Sequence, residues 1–368
     1  MTPRSAYRKT TQKSELPMNT KKQKSKNNLI SFAVMLILIG ITLYMIFKNY
    51  SPAVILDIVK STDLCYILIA FLLMLVYVSL EGISLRTITR SFGEKTTFSK
   101  GLVYSSVDLY FSAITPSSEG GQPLMIYTMT RDGISISRST ITAVLFTNMF
   151  TSGLLICTGI GILISPSLLF TDNIWFRICL IVGLVISVII FVGCILLLRF
   201  GHTMHKLGSA LIGFCHKIHL IKNKEKALEK LDVAIQDFAA CSAYIKSHPV
   251  LTLKILLLAT LQRIVFFTVP YFVYLSFGLT GTSYFELFAI QVITQMSVYA
   301  LPIPGSAGAT EAMMLLMYQN VYTEEQAVSA MLLARGITFY FTVLFCGSVT
   351  LIDSILFKRK KKEETLMI

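Results

Sequence analysis

Charge is scarce in this sequence. Of its 368 residues only 14% are Asp, Glu, Lys or Arg, against about 25% in a globular chain. Hydrophobic residues make up 54%, and the mean hydropathy is +0.67. A surface this poor in charge excludes an ordinary water-soluble body and points to a polytopic membrane protein. No stretch is left for a soluble catalytic domain of typical size, on the order of 100–150 residues. Cysteine forms no pattern either: Cys65, Cys157, Cys179, Cys194, Cys215, Cys241 and Cys346 include no C-x-x-C, and most lie in apolar runs. Neither a disulfide framework nor a metal site is expected. The five histidines all fall between His202 and His248 without a supporting carboxylate or thiol cluster. There is no P-loop, G-x-S-x-G, H-E-x-x-H or dinucleotide fingerprint, so no cofactor is expected.

The charge that is present is basic and placed at the edges. The net charge is +13, with Lys and Arg crowded into residues 1–28, the segment 200–248 and the tail 358–368. That distribution suits cytoplasmic segments facing anionic lipid, not a nucleic-acid partner. Apolar runs predict full spans at 29–47, 64–85, 139–164, 175–198, 249–277 and 327–355. The first follows a long polar tail with no small-residue cleavage site, so it reads as a retained helix and not as a signal peptide. Segment 200–248 reads as amphipathic helix on the cytoplasmic face, and both termini are placed in the cytoplasm.

Two stretches interrupt this pattern. T-P-S-S-E-G-G-Q-P at 115–123 and L-P-I-P-G-S-A-G-A-T-E at 301–311 put Pro and Gly inside apolar sequence. Neither permits a continuous helix, and irregular backbone at membrane depth survives only inside protein or along a wet cavity. Hairpins at 101–129 and 284–318 that dip in and return keep the flanking Arg131 and Arg138 on the cytoplasmic side. The expected fold is therefore all-α: six full spans plus two re-entrant helical hairpins of opposite orientation, an inverted repeat occupying residues 29–357. An offset of 191 places Tyr127, Thr147, Phe150 and Thr151 on Tyr318, Thr338, Phe341 and Thr342.

The breaks supply the candidate binding residues. Half-helix ends inside a membrane expose backbone groups that can hold an ion. Gly120 and Gly121 allow close approach, and Glu119 and Gln122 offer a carboxylate and an amide. At the second break Pro304, Gly305 and Gly308 make the turn, and Glu311 caps the next helix. Arg335, well inside the last span, is costly there by roughly 2.5–3.5 kcal/mol unless paired or wet; Glu311 and Glu119 are its candidate partners. Arg263 and Asp108 are further intramembrane charges. Glu81 reads as a local partner of Arg86, and Arg138 as an interfacial anchor.

E-G-G-Q-P-L at 119–124, P-x-P-G-x-x-G-x-x-E at 302–311 and Arg335 resemble the lysylphosphatidylglycerol synthase transmembrane family, a flippase-like group. Members usually have P-G-G-x-G at the second motif; Ser306 replaces the second Gly here. The resemblance implies a bacterial plasma-membrane protein that moves a polar or aminoacylated phospholipid, such as lysyl-phosphatidylglycerol, and protects against cationic peptides. Larger members add a soluble lysine-transferring domain, for which no place is expected in this chain. Three functions remain open: a lipid flippase, the membrane component of a phosphatidylglycerol lysyltransferase served by a separate soluble aminoacyltransferase, and a non-transporting membrane partner acting through its basic tails.

Overall fold

The computed structural model describes residues 57, 59–115, 120–171, 173–189, 191–192, 209, 212–213, 224–299, 301, 303 and 306–366. The span expected at 29–47 and the basic segment 1–28 lie outside these residues. Among the described residues the fold is helical without strands. The helices are α1 (Leu64–Ser91), α2 (Phe98–Ile114), α3 (Gly121–Arg131), α4 (Ile136–Ile164), α5 (Ile174–Ile189), α6 (Lys224–Ser247), α7 (Pro249–Ser276), α8 (Tyr284–Val298), α9 (Ala309–Tyr318), α10 (Glu324–Arg335) and α11 (Thr342–Leu366). One turn of π-helix, Gly336–Phe341, fuses α10 to α11.

Four of these segments are long and apolar enough to cross a bilayer: Leu64–Ser91, Ile136–Ile164, Pro249–Ser276 and Glu324–Phe357. Their outward faces are apolar. On α1, Leu64, Leu68 and Leu72 recur every fourth residue with more than half of each side chain exposed, a stripe suited to lipid tails. The interior is where the polar groups are: Glu81, Gln262, Gln291, Arg263, Glu311 and Arg335 are all buried. The helix of 64–85 runs on to Ser91, and Lys358 onward continues α11 instead of leaving it. Apolar content marks where a helix can be immersed; the hydrogen-bonded coil simply continues past it. Of the segment 200–248, α6 is the main described part, and its Tyr244 ring packs at a tilt against Phe92, just after α1.

Both broken stretches fold back on themselves. Lys100, near the start of α2, bonds Asp132 just after α3 at 2.7 Å. In the second pair, Tyr318 at the end of α9 reaches Gln291 of α8 at 3.3 Å. The two halves then exchange these pairs: α2 packs on α11 from the second half, and α8 packs on α4 from the first, while α1 and α7 form the central contact. Asp63 N–H donates to the Ser276 carbonyl at 2.8 Å, which fixes α1 and α7 as antiparallel. At the base of α2 and α3, Arg131 and Lys100 hold Asp132 and Asp353, the latter on α11. Arg131, Asp132 and Asp353 are mostly withdrawn from water, Lys100 is partly exposed, and the four charges neutralise one another.

Helices come close where side chains are missing. A Cβ on Gly82 would stand 3.0 Å from the Gly101 carbonyl carbon and the Leu102 nitrogen, and one on Gly101 would overlap the Gly82 carbonyl oxygen. Small residues at helix crossings are how apolar helices gain contact in lipid, where burial itself gives no driving force. Gly101→Val is therefore expected to force α1 and α2 apart and cost about 1–3 kcal/mol. Thermal unfolding in detergent measures it; an unchanged melting temperature would contradict the tight crossing.

Candidate functional site

The second break is organised by Glu311. Ser306 (φ 50°) and Gly308 (φ 81°) adopt left-handed backbone as the chain turns into α9. Gly308 N–H then donates to Glu311 Oε2 at 2.7 Å, satisfying one of the amides that a helix start leaves without a partner. Thr310 Oγ1 donates to the Ser306 carbonyl at 3.0 Å. Glu311 Oε1 accepts from Arg335 Nε at 2.8 Å, and the guanidinium also covers the Phe339 ring, 4.4 Å from its centroid. Arg335 stands where α10 gives way to the π turn, which reorients Thr338 and Phe339. Capping by Glu311 and its pairing with Arg335 are thus one arrangement. Pro304 and Gly305 lie outside the described residues.

The first break is built differently. Thr115 Oγ1 accepts from Gly120 N–H at 3.0 Å and donates to the Phe111 carbonyl. A Cβ on Gly120 would collide with Thr115, and one on Gly121 would collide with Asp108 and the Ser112 hydroxyl. These glycines bring α3 onto α2. Pro123 sits in the first turn of α3, where its missing N–H costs nothing. Glu119 lies outside the described residues.

Between the two breaks is a cavity of about 640 Å³ whose wall includes Glu81, Asp108, Gln122, Arg263, Thr310 and Arg335. Four candidate residues from distant parts of the chain, Asp108, Gln122, Arg263 and Arg335, thus meet at one place, with Glu81 and Thr310 added. Four threonines line it as well: Thr147 and Thr151 from α4, Thr338 and Thr342 from the π turn and α11. They are the residues related by the offset of 191. A larger groove, about 960 Å³, lies at the base of α2 and α3 beside the Lys100, Arg131, Asp132 and Asp353 quartet. Its charges are already paired, and neither break reaches it.

Glu81 is a correction. It does not pair with Arg86 but accepts from Gln262 Nε2 at 2.9 Å and is 1% exposed. Five residues along a helix rotate a side chain by about 140°, outside the three- and four-residue spacings at which neighbours meet. Arg86 instead donates to the Thr96 carbonyl, and Arg138 pairs with Glu94. Asp108 and Glu81 line the same cavity near enough to act on each other's charge, and two carboxyls can share a hydrogen bond only when one of them carries a proton. Otherwise Glu81 Oε1 and Asp108 Oδ1 are buried without a partner among the described residues, as is Arg263 Nε. The Arg263 guanidinium lies 3.5 Å from the Phe150 ring centroid. Sequence reading missed Glu81 and Gln262 as site residues. The available signal was one polar residue in each of two apolar runs.

Two outcomes test this geometry by thermal unfolding in detergent. Glu311→Ala should cost about 3–5 kcal/mol, with Glu311→Gln/Arg335→Met recovering part of the loss because no lone charge remains. Equal stability of single and double variants would count against the pair. Ser306→Gly should stabilise by about 1 kcal/mol, since glycine enters the left-handed region without the Cβ penalty; a lower melting temperature would refute that.

Comparison with known proteins agrees with the sequence motifs. The Lysylphosphatidylglycerol synthase TM region family matches residues 28–346. A UPF0104 membrane protein from Archaeoglobus fulgidus is 22% identical over 319 residues, covering 84% of this chain and 93% of the relative. The match takes in both breaks, the cavity between them and Arg335. On this extent of agreement, the chain belongs to the lysylphosphatidylglycerol synthase transmembrane-region family.

Proposed function

We propose that this chain carries a polar-headed phospholipid between membrane leaflets, holding the headgroup in the cavity between its two helix breaks. In this reading the two folded-back helix pairs are re-entrant hairpins of an inverted repeat, and six full spans surround them. The observation that carries the reading is that Arg263, Glu81 and Asp108 line one cavity and each keeps a buried polar atom, Arg263 Nε, Glu81 Oε1 and Asp108 Oδ1, without a partner among the described residues. Buried groups of this kind are costly unless a ligand or water completes them.

A phosphodiester bearing an amino group fits this set. Arg263 supplies a guanidinium for the phosphate, and Glu81 and Asp108 supply acceptors for a cationic head. Glu311 and Arg335, which neutralise each other, hold the second break in shape, and Gln122 and Thr310 offer neutral hydrogen bonds. Lysyl-phosphatidylglycerol in a bacterial plasma membrane is the client suggested by the family, with resistance to cationic peptides as its consequence. The basic tails would rest on anionic lipid with both termini in the cytoplasm. The second reading, the membrane component of a phosphatidylglycerol lysyltransferase working with a separate soluble aminoacyltransferase, takes its support from the family description.

Transfer of fluorescent phospholipids across proteoliposome membranes separates these readings. Phosphatidylglycerol, phosphatidylethanolamine, phosphatidylcholine and lysyl-phosphatidylglycerol form the panel. Lysyl-phosphatidylglycerol should move fastest, and Arg263→Gln should slow it at least tenfold, on the order of a lost charged hydrogen bond, without a comparable loss of folding. Absence of transfer for every lipid by well-folded protein would sink the flippase reading. Lysine incorporation into lipid on adding charged tRNA would favour the second.

A further inference from the structure

Among the described residues the charges around the cavity do not balance. Arg335 is paired with Glu311 at 2.8 Å. That leaves Arg263 against two carboxyl groups, Glu81 and Asp108, which line the same space near enough to act on each other's charge. The groups near this pair are Tyr77 on α1, Gln262 and Arg263 on α7, Cys346 on α11 and, beyond α8, Tyr299 beside Arg263. From α3 the wall adds the uncharged Gln122, and from α4 only threonines and phenylalanines. With both carboxyls ionised the described part of the site is one positive charge short. Two carboxylates near each other, away from water, repel unless a proton or another cation stands between them.

Gln262 donates to one Glu81 oxygen and leaves the other, with Asp108 Oδ1, without a partner among the described residues. Two acceptors separated by a removable proton also form a seat for an ammonium group, which brings three donors and the same single charge. We propose that the Glu81–Asp108 pair is an exchange site at which one proton and one primary ammonium headgroup compete, so that lipid entry expels a proton. The step balances. The incoming R–NH3+ takes the place between the carboxyls, and the O–H bond breaks with its electrons left on oxygen. The proton leaves to water, and the charge of the site is unchanged. Transfer coupled in this way would be driven by a proton gradient of opposite direction. The inference deepens the headgroup reading of the cavity and rests on it.

The test needs binding, not transport. Dihexanoyl-phosphatidylethanolamine is titrated calorimetrically into the detergent-purified full chain at several pH values, in two buffers of different ionisation heat. Linkage predicts release of up to about one proton per lipid bound, with affinity rising about tenfold per pH unit while the pair is protonated. Dihexanoyl-phosphatidylcholine, whose quaternary head has no N–H, should release fewer protons and bind more weakly. Glu81→Gln and Asp108→Asn each leave one carboxylate for Arg263. Both should abolish the proton release and weaken binding at least tenfold; the wild-type result stands by itself if a variant fails to fold. Binding without proton release, release that survives both substitutions, or failure of the amine lipid to bind would each overturn the proposal. Release on binding without leaflet transfer would keep this inference and remove the transport reading, while transfer indifferent to pH would do the reverse.

Discussion

The start of a buried helix leaves amides without partners, and at α9 one carboxylate takes up this role. Glu311 gives one oxygen to the Gly308 amide and the other to Arg335. The first contact starts α9; the second neutralises a guanidinium in the middle of an apolar helix and ties the second break to the last span. Each charge would be expensive alone. Together they fix the turn, place the π segment that follows Arg335, and thereby set one wall of the cavity. The rest of the site assumes that this wall stands where it does.

Against that fixed wall, the remaining polar groups are of a different kind. Thr115 and the two glycines satisfy the first break locally, without charge. Glu81, Asp108 and Arg263 are held by neighbours at one edge and left open at another. The groups completed by the protein shape the two breaks, while those left incomplete among the described residues belong to side chains that line the cavity between them. The family relation places the chain in a membrane family named for lysylphosphatidylglycerol synthase.

Much of this was legible in the residues. Proline and glycine inside apolar runs located both breaks, because backbone geometry is a local property. Glu311 as a cap, and as the partner of Arg335, followed from the cost of leaving either unsatisfied. Asp108 and Arg263 stood out by the same reasoning. Glu81 did not, because a nearby arginine in sequence offered a partner that helical rotation removes, and because Gln262 comes close only once α1 and α7 are packed. The role of Gly121 was hidden for a similar reason: its demand for space comes from Asp108, on another helix. Ser306 looked like a neutral departure from the family pattern until its positive φ gave the usual glycine a purpose.

The exchange of helix pairs between halves ties the two halves together. Because α2 rests on α11 and α8 on α4, each half of the chain is clasped by an arm belonging to the other. The Lys100, Arg131, Asp132 and Asp353 quartet rivets one of those arms at its base. Each half is thus held at two places, by its own helices and by the arm of the other, about the antiparallel pair of α1 and α7.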